Sequence, residues 1–247
     1  MTAKAIKARN TPDWLTRWEY AHRGLHSPLV PENSLSAAKA AIEANVGIEC
    51  DIHCSRDGQP MVFHDWELER MTDETGLMEV HEADELAAMV LSASDDRMPR
   101  LEALLELVAG AVPLLIEIKS RPDYDVERTC ASVAALLGDY AGDHAVMSFD
   151  SRAGQWLAAN SPQTPRGLVC TDASDLDFAG HWREAGAMER AQPDFLAVDI
   201  RDLPGAIFQL WRDSGRPLIS WTVRNPDQRR VGKIHADTLV CEGEGFE

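Results

Sequence analysis

Short apolar runs of β character alternate along this chain with longer runs whose apolar positions recur every three or four residues. The first kind occupies residues 18–22 (WEYAH), 46–53 (VGIECDIH), 113–120 (PLLIEIKS), 144–150 (HAVMSFD), 166–170 (RGLVC), 194–199 (DFLAVD), 217–223 (PLISWTV) and 237–242 (DTLVCE). The second kind includes residues 34–44, 100–110, 126–138, 151–160 and 203–215. Strand then helix, repeated around the chain, predicts α/β architecture with a parallel sheet closed into a (β/α)8 TIM barrel. The competing solution is an open doubly wound sheet, but no GxGxxG or P-loop follows the first strand. One stretch breaks the rhythm. Residues 54–99 are polar, carry a single short β-type run at 60–65 (PMVFHD), and insert roughly 45 residues between strand 2 and the helix before strand 3. We read residues 1–247 as a single domain, with 54–99 as an insertion over the barrel mouth.

An apolar content of 45% in 247 residues can close one sizeable core, which agrees with that reading. No apolar run approaches the ~20 residues of a bilayer span, and the opening MTAKAIKARNTPDW lacks the apolar centre of a signal peptide, so the expected compartment is cytoplasmic. Cys50, Cys54, Cys130, Cys170 and Cys241 are scattered without CxxC spacing and read as reduced core thiols. The net charge of −17 argues against nucleic acid and against anionic membranes as partners. An anionic ligand would therefore need a local positive centre, such as a metal ion or an Arg/Lys pair.

In a parallel barrel, chemistry sits where strands end. His22-Arg23-Gly24 closes the first strand, Glu49, Asp51 and His53 alternate on the second, Glu117 and Lys119 alternate on the third, and His64-Asp65 closes the inserted run. The two-residue period puts Glu49, Asp51 and His53 on one face, with Ile48, Cys50 and Ile52 on the other against the helices. Inward carboxylates are costly unless they bind something. Glu49, Asp51 and Glu117 form an oxygen-rich set that suits Mg2+ or Ca2+, with Mn2+ as a further candidate, better than zinc. A divalent ion, Arg23 and Lys119 together would leave the pocket with a single positive charge, which a phosphodiester would neutralise. Two imidazoles near neutral pH can supply acid and base.

Structural readings compete with these. Glu49 and Asp51 alone could equally belong to an ion pair. His26, His81, His144, His181 and His235 lack a strand-end context and read as surface or structural groups. His53 shares the acidic face without an assignable role. Trp14, Trp18, Trp66, Trp156, Trp182 and Trp211 read as packing residues, whereas Trp221, near the end of its strand, can wall the pocket.

The run at 21–65 contains HRG (22–24), PEN followed by Ser34 (31–34), ExD with a nearby His (49–53), a DG turn (57–58) and HD (64–65). In this order it resembles the glycerophosphodiester phosphodiesterase signature. MPRLEALLELV (98–108), IEIK (116–119) and SWTV (220–223) extend the resemblance to residues 19–241. It implies metal-dependent hydrolysis of glycerophosphodiesters, such as glycerophosphocholine or glycerophosphoethanolamine, to glycerol 3-phosphate and an alcohol. It further implies His22 and His64 as the acid/base pair, Glu49, Asp51 and Glu117 as metal ligands, and Arg23 and Lys119 as the phosphate holders. Glu32 would orient Arg23 or another site residue, while Asn33 or Ser34 caps the following helix. The small-molecule substrate would be the main partner; a homo-oligomer is compatible with it.

The chain departs from the family pattern at Arg224-Asn225, where Asn usually follows WTV, at Arg100 in place of Thr, and in a reduced C-terminal pattern that retains Asp237. These bear on substrate preference. A lysophospholipase D-like activity would want an apolar lip, but the insertion is dominated by Asp, Glu and Arg. A metal-dependent aldolase or enolase-type barrel could use Lys119 yet would leave both histidines without a task. A non-catalytic binding module would not account for keeping both histidines and every metal ligand.

Overall fold

The computed structural model describes residues 11–92, 94–173 and 181–247. Strand β1 (Tyr20–Ala21) leads through the HRG turn to helix α1 (Leu35–Glu43), which starts where the Ser34 hydroxyl accepts the Ala37 N–H. Then follow β2 (Gly47–Cys54), β3 (Pro60–Val62), α2 (Ala83–Ala88), α3 (Leu101–Val108), β4 (Leu114–Ile118) and α4 (Val126–Leu137). The second half runs β5 (His144–Ser148), α5 (Ser151–Asn160), β6 (Arg166–Cys170), α6 (Ala187–Ala191), β7 (Phe195–Asp199), α7 (Ala206–Asp213), β8 (Leu218–Val223), α8 (Pro226–His235) and β9 (Thr238–Cys241).

All strands except β3 are parallel, and β1 pairs with β2 on one side and β9 on the other, so the sheet closes into a (β/α)8 barrel. Strand β3 pairs antiparallel with β2, His53 opposite Met61, and forms the outer return of the inserted segment. The pleat sorts the side chains. Ile48, Cys50 and Ile52 of β2 and Leu114, Ile116 and Ile118 of β4 pack outward with Leu101, Leu104 and Val133 of the helices. Leu115, Met147, Val169, Phe195, Ile219 and Val240 fill the interior, with Tyr20 and Leu15 beside them. Large rings fit there because small residues face them. A Cβ on Gly47 would lie 2.5 Å from the Tyr20 ring, and one on Gly167 would lie 2.4 Å from the Phe195 ring.

Met61, Phe63, Leu68, Met78, Ala83, Leu86, Leu91 and Met98 pack into a small cluster of their own in the 54–99 segment. Its apolar burial fixes the segment to one flank, and among its described residues only the stretch from His64 to Arg70 reaches the barrel pocket. Among the described residues, no helix is long and apolar enough to cross a membrane.

Candidate active site

At the end of β1 the chain turns sharply. Arg23 and Gly24 both take positive φ, 56° and 76°, and a Cβ on Gly24 would come within 2.8 Å of the Ala37 side chain. A glycine is therefore required at 24, and the turn aims the Arg23 side chain back over the barrel. The Arg23 N–H donates to Glu49 Oε2 at 3.0 Å.

Across the pairing of β2 with β4, Asp51 lies directly opposite Glu117. Together with Glu49 two positions earlier, this register gathers three buried carboxylates with one oxygen of each within 4.8 Å of the others. Burial, reinforced by the neighbouring Asp51 and Glu117, pushes Glu49 well above the usual carboxylate range. Burial would also raise Asp51, but Lys119, His64 and Arg23 outweigh it and hold the carboxyl well down. Lys119 Nζ donates to Asp51 Oδ1 at 2.8 Å and to Glu117 Oε1 at 2.7 Å, and Asn33 Nδ2 donates to Asp51 Oδ2 at 2.9 Å. Lys119 is thus held on the carboxylates, and Asn33 is bound to Asp51 while Ser34 alone caps α1. An all-oxygen cluster whose Glu49 resists ionisation fits a hard divalent cation, which would favour the ionised form of Glu49.

His22 and His64 line the same pocket of about 950 Å3. Each ring is anchored through Nδ1 to a carboxylate: His22 to Glu242 Oε2 at 2.7 Å, His64 to Asp65 Oδ1 at 2.6 Å. Each carboxylate in turn holds an arginine, Arg224 on Glu242 Oε1 and Arg70 on Asp65 Oδ2. Burial pushes His22 down to about 4, against the Glu242 hydrogen bond that raises it, and burial with Lys119 pushes His64 down as well. Both rings are accordingly neutral near pH 7, with Nδ1–H on the carboxylate and a lone pair on Nε2.

The remaining predicted residues divide. Glu32 accepts from Arg23 Nη1 and from Arg70 Nη2, each at 2.6 Å, and so ties the HRG turn to the inserted segment. Trp221 lines the pocket, its indole N–H donating to the Ala197 carbonyl at 3.0 Å and its ring edge-on to Phe149. His53 is fully buried and does not line the pocket; its Nε2–H donates to the His64 carbonyl at 2.8 Å, and its ring stands edge-on to Trp66. Trp66, expected as a packing residue, instead forms part of the pocket wall, with the Arg121 guanidinium 4.4 Å from its ring centre.

Glu242 and Arg70 are participants that the reading of strand ends passed over, whereas Asp65 was named there without a role and Asn33 only as a candidate helix cap. Glu242 had a signal, since it ends the last β run just as Asp51 and Glu117 stand near the ends of theirs. Arg70 had none, because only tertiary packing of the insertion brings it to Glu32. His26, read as peripheral, places Nε2 3.6 Å from Glu242 Oε2.

The pattern of the Glycerophosphoryl diester phosphodiesterase family matches residues 22–241. The chain belongs to this family. A Bacillus subtilis relative, YhdW, is 26% identical over 239 residues, covering 92% of this chain and 94% of its own length. Rat glycerophosphodiester phosphodiesterase 1 is 33% identical over 253 residues, covering 87% of this chain and 74% of the rat protein. The fold is shared with an Oleispira antarctica phosphodiesterase solved with its product sn-glycerol-3-phosphate, at a TM-score of 0.78 and 22% identity over 90% of this chain and 91% of that one. A glycerophosphodiester phosphodiesterase from Thermotoga maritima superposes at 0.71, also with 22% identity, over 90% and 92% of the two chains. In this glycerophosphodiester phosphodiesterase family member, the segment that matches begins at His22, the first residue of the site.

Proposed function

We propose that this chain is a single catalytic domain that hydrolyses glycerophosphodiesters to glycerol 3-phosphate and an alcohol, with a hard divalent cation, Mg2+ or Ca2+, at Glu49, Asp51 and Glu117. The observation that carries the reading is the pairing of two imidazoles, each with its Nδ1 on a carboxylate, in one pocket with that carboxylate cluster. When bound, the cation supplies positive charge to the phosphoryl oxygens and lowers the cost of the carboxylates around it.

The chain's own groups then divide the work. Arg23 Nε is a buried donor without a hydrogen bond, lying 3.2 Å from Asp51 Oδ2 as an ion pair only, and a phosphoryl oxygen would give it an acceptor. Lys119 keeps a second positive charge beside the same pocket. One neutral imidazole takes the proton of the glycerol 2-hydroxyl on Nε2 as that oxygen attacks phosphorus, and the other, having taken up a proton on Nε2 with the anionic substrate and entered the step as imidazolium, gives that proton to the departing alcohol oxygen. The cyclic glycerol phosphate so formed is opened by water, with the two imidazoles exchanging roles. Trp221 and Phe149 offer an apolar wall to the glycerol carbons.

Purified protein with Mg2+ or Ca2+ should release glycerol 3-phosphate from glycerophosphocholine or glycerophosphoethanolamine, and His22→Ala and His64→Ala should each lose about 10²- to 10⁴-fold in kcat. Failure to release glycerol 3-phosphate from any deacylated phospholipid with any divalent cation would refute the assignment.

A further inference from the structure

His26 lies beyond the HRG turn, yet its ring returns to the site. Its Nε2 is sealed from solvent, makes no hydrogen bond, and points at Glu242 Oε2 from 3.6 Å. The same oxygen takes His22 Nδ1 at 2.7 Å, and donor atoms of all three residues lie within 4.8 Å of one another. We propose that His22, His26 and Glu242 form a second divalent-metal site, suited to zinc, whose filling inhibits the enzyme.

At His26 the spacing suits an ion better than a hydrogen bond, although His22 Nδ1, hydrogen-bonded to the same oxygen at 2.7 Å, would have to draw back to join it. A spacing of 3.6 Å is too long for N–H···O, but it is close to the ~3.4 Å that separates two ligands at 2.0–2.2 Å on a tetrahedral ion. Glu242 Oε1 is engaged by Arg224, so Oε2 is the single oxygen offered. Two imidazoles and one carboxylate prefer a borderline-soft ion, whereas the all-oxygen set of Glu49, Asp51 and Glu117 prefers a hard one. The two sites therefore sort their ions by donor type. The guanidiniums of Arg224 and Arg23 weaken the second site by repulsion, which fits an ion that exchanges rather than a resident one.

Coordination uses the His22 Nδ1 lone pair. The ring's single proton moves through solvent from Nδ1 to Nε2, no proton being gained or lost overall, and Nε2 can then no longer accept one. The inhibition rests on the acid/base role proposed for His22, but the binding does not.

The test uses the full-length protein. Co2+, a spectroscopic stand-in for zinc, is titrated in the presence of saturating Mg2+, and its visible absorption, intense when four-coordinate, is read for wild type, Glu117→Gln and His26→Gln. One equivalent should give the intense band in wild type and in Glu117→Gln, and none in His26→Gln at unchanged circular dichroism; His26→Ala serves if Gln disturbs folding. Zn2+ should inhibit glycerophosphocholine hydrolysis, with at least tenfold more required for His26→Gln, whose rate without zinc should equal that of wild type. No band in wild type, a band that follows Glu117 rather than His26, or equal zinc sensitivity in both proteins would each overturn the site. Absence of hydrolysis in every protein would instead remove the phosphodiesterase reading, and the Co2+ band would still decide the site.

Discussion

His22 and Glu242 are separated by 220 positions in the chain and by 2.7 Å in the site. The contact crosses the seam at which β9 pairs with β1, so closing the barrel is what assembles it. Burial works against ionisation of Glu242, but the hydrogen bond with His22 and the nearby Arg224 guanidinium outweigh burial and hold the carboxyl far below its usual range. An ionised Glu242 fixes the neutral imidazole with Nδ1–H outward and the Nε2 lone pair toward the pocket.

Replacing that anchor should cost rate more than binding. Glu242→Gln keeps the side chain's size but can present its amide N–H to Nδ1, which would put the ring proton on Nε2 and remove the base. We expect kcat to fall about 10²- to 10⁴-fold with KM within a few-fold of wild type, and the acid limb of kcat/KM to move down, since Glu242 raises the His22 pKa. A change confined to KM would mean that Glu242 contacts substrate rather than orienting His22.

The parallel β runs and the inward set were legible because both obey local periods. The two-residue alternation that buries Ile48, Cys50 and Ile52 against helices leaves Glu49 and Asp51 no other face, and the register then fixes Glu117 opposite Asp51. What local pattern does not encode is which charges are already neutralised. Lys119 carries the charge that the resemblance assigns to phosphate binding, yet it is held by Asp51 and Glu117, and only their spacing across two strands shows it. His53 shows the opposite case: it shares the parity of Glu49 and Asp51, but the strand runs on past the barrel rim into its pairing with β3, where the same parity leads to the His64 carbonyl. Trp66 and Arg70 depend on the packing of the inserted segment, which carries no period of its own.

Lys119 gives a prediction about the metal. Lys119→Met removes the cation shared by two buried carboxylates and should destabilise the metal-free protein by about 3–5 kcal/mol. Mg2+ should then recover more of the melting temperature in this variant than in wild type, because the ion has more repulsion to relieve. Equal shifts on adding Mg2+ to both proteins would show that the cation does not bind at these carboxylates.

Acid should unfold the protein partly through its buried imidazoles. Burial holds His53 at about 3 and His22 at about 4 in the folded chain, against about 6.5 when unfolded. Between those values the unfolded chain binds protons that the native one refuses, so the contribution is complete above pH 6.5 and is lost as pH falls toward 4. Each ring contributes a slope of about 1.4 kcal/mol per pH unit across that window. Glu49, whose pKa is raised, acts in the opposite sense, so the difference between wild type and His53→Asn is diagnostic. Melting temperature followed from pH 7 to 4 with Mg2+ present should fall less steeply in His53→Asn, and parallel curves would contradict a neutral, buried His53.

Arg70 joins the two halves of the site. Its Nη2 shares Glu32 Oε1 with Arg23, and its Nε holds Asp65, the anchor of His64, so a continuous chain of charges runs from His64 to Arg23 and Asp51. Arg70 is half-exposed, so Arg70→Met should cost little stability, about 1 kcal/mol or less. Its effect on chemistry should be larger, because the anchors of both His64 and Arg23 lose a fixed neighbour: kcat/KM is expected to fall about 10- to 100-fold. Because Glu32→Gln breaks the same chain one link further on, the double variant should lose much less than the product of the two single losses. Strictly multiplicative losses would show that Arg70 and Glu32 act separately, and that the orientation of His64 does not depend on the HRG turn.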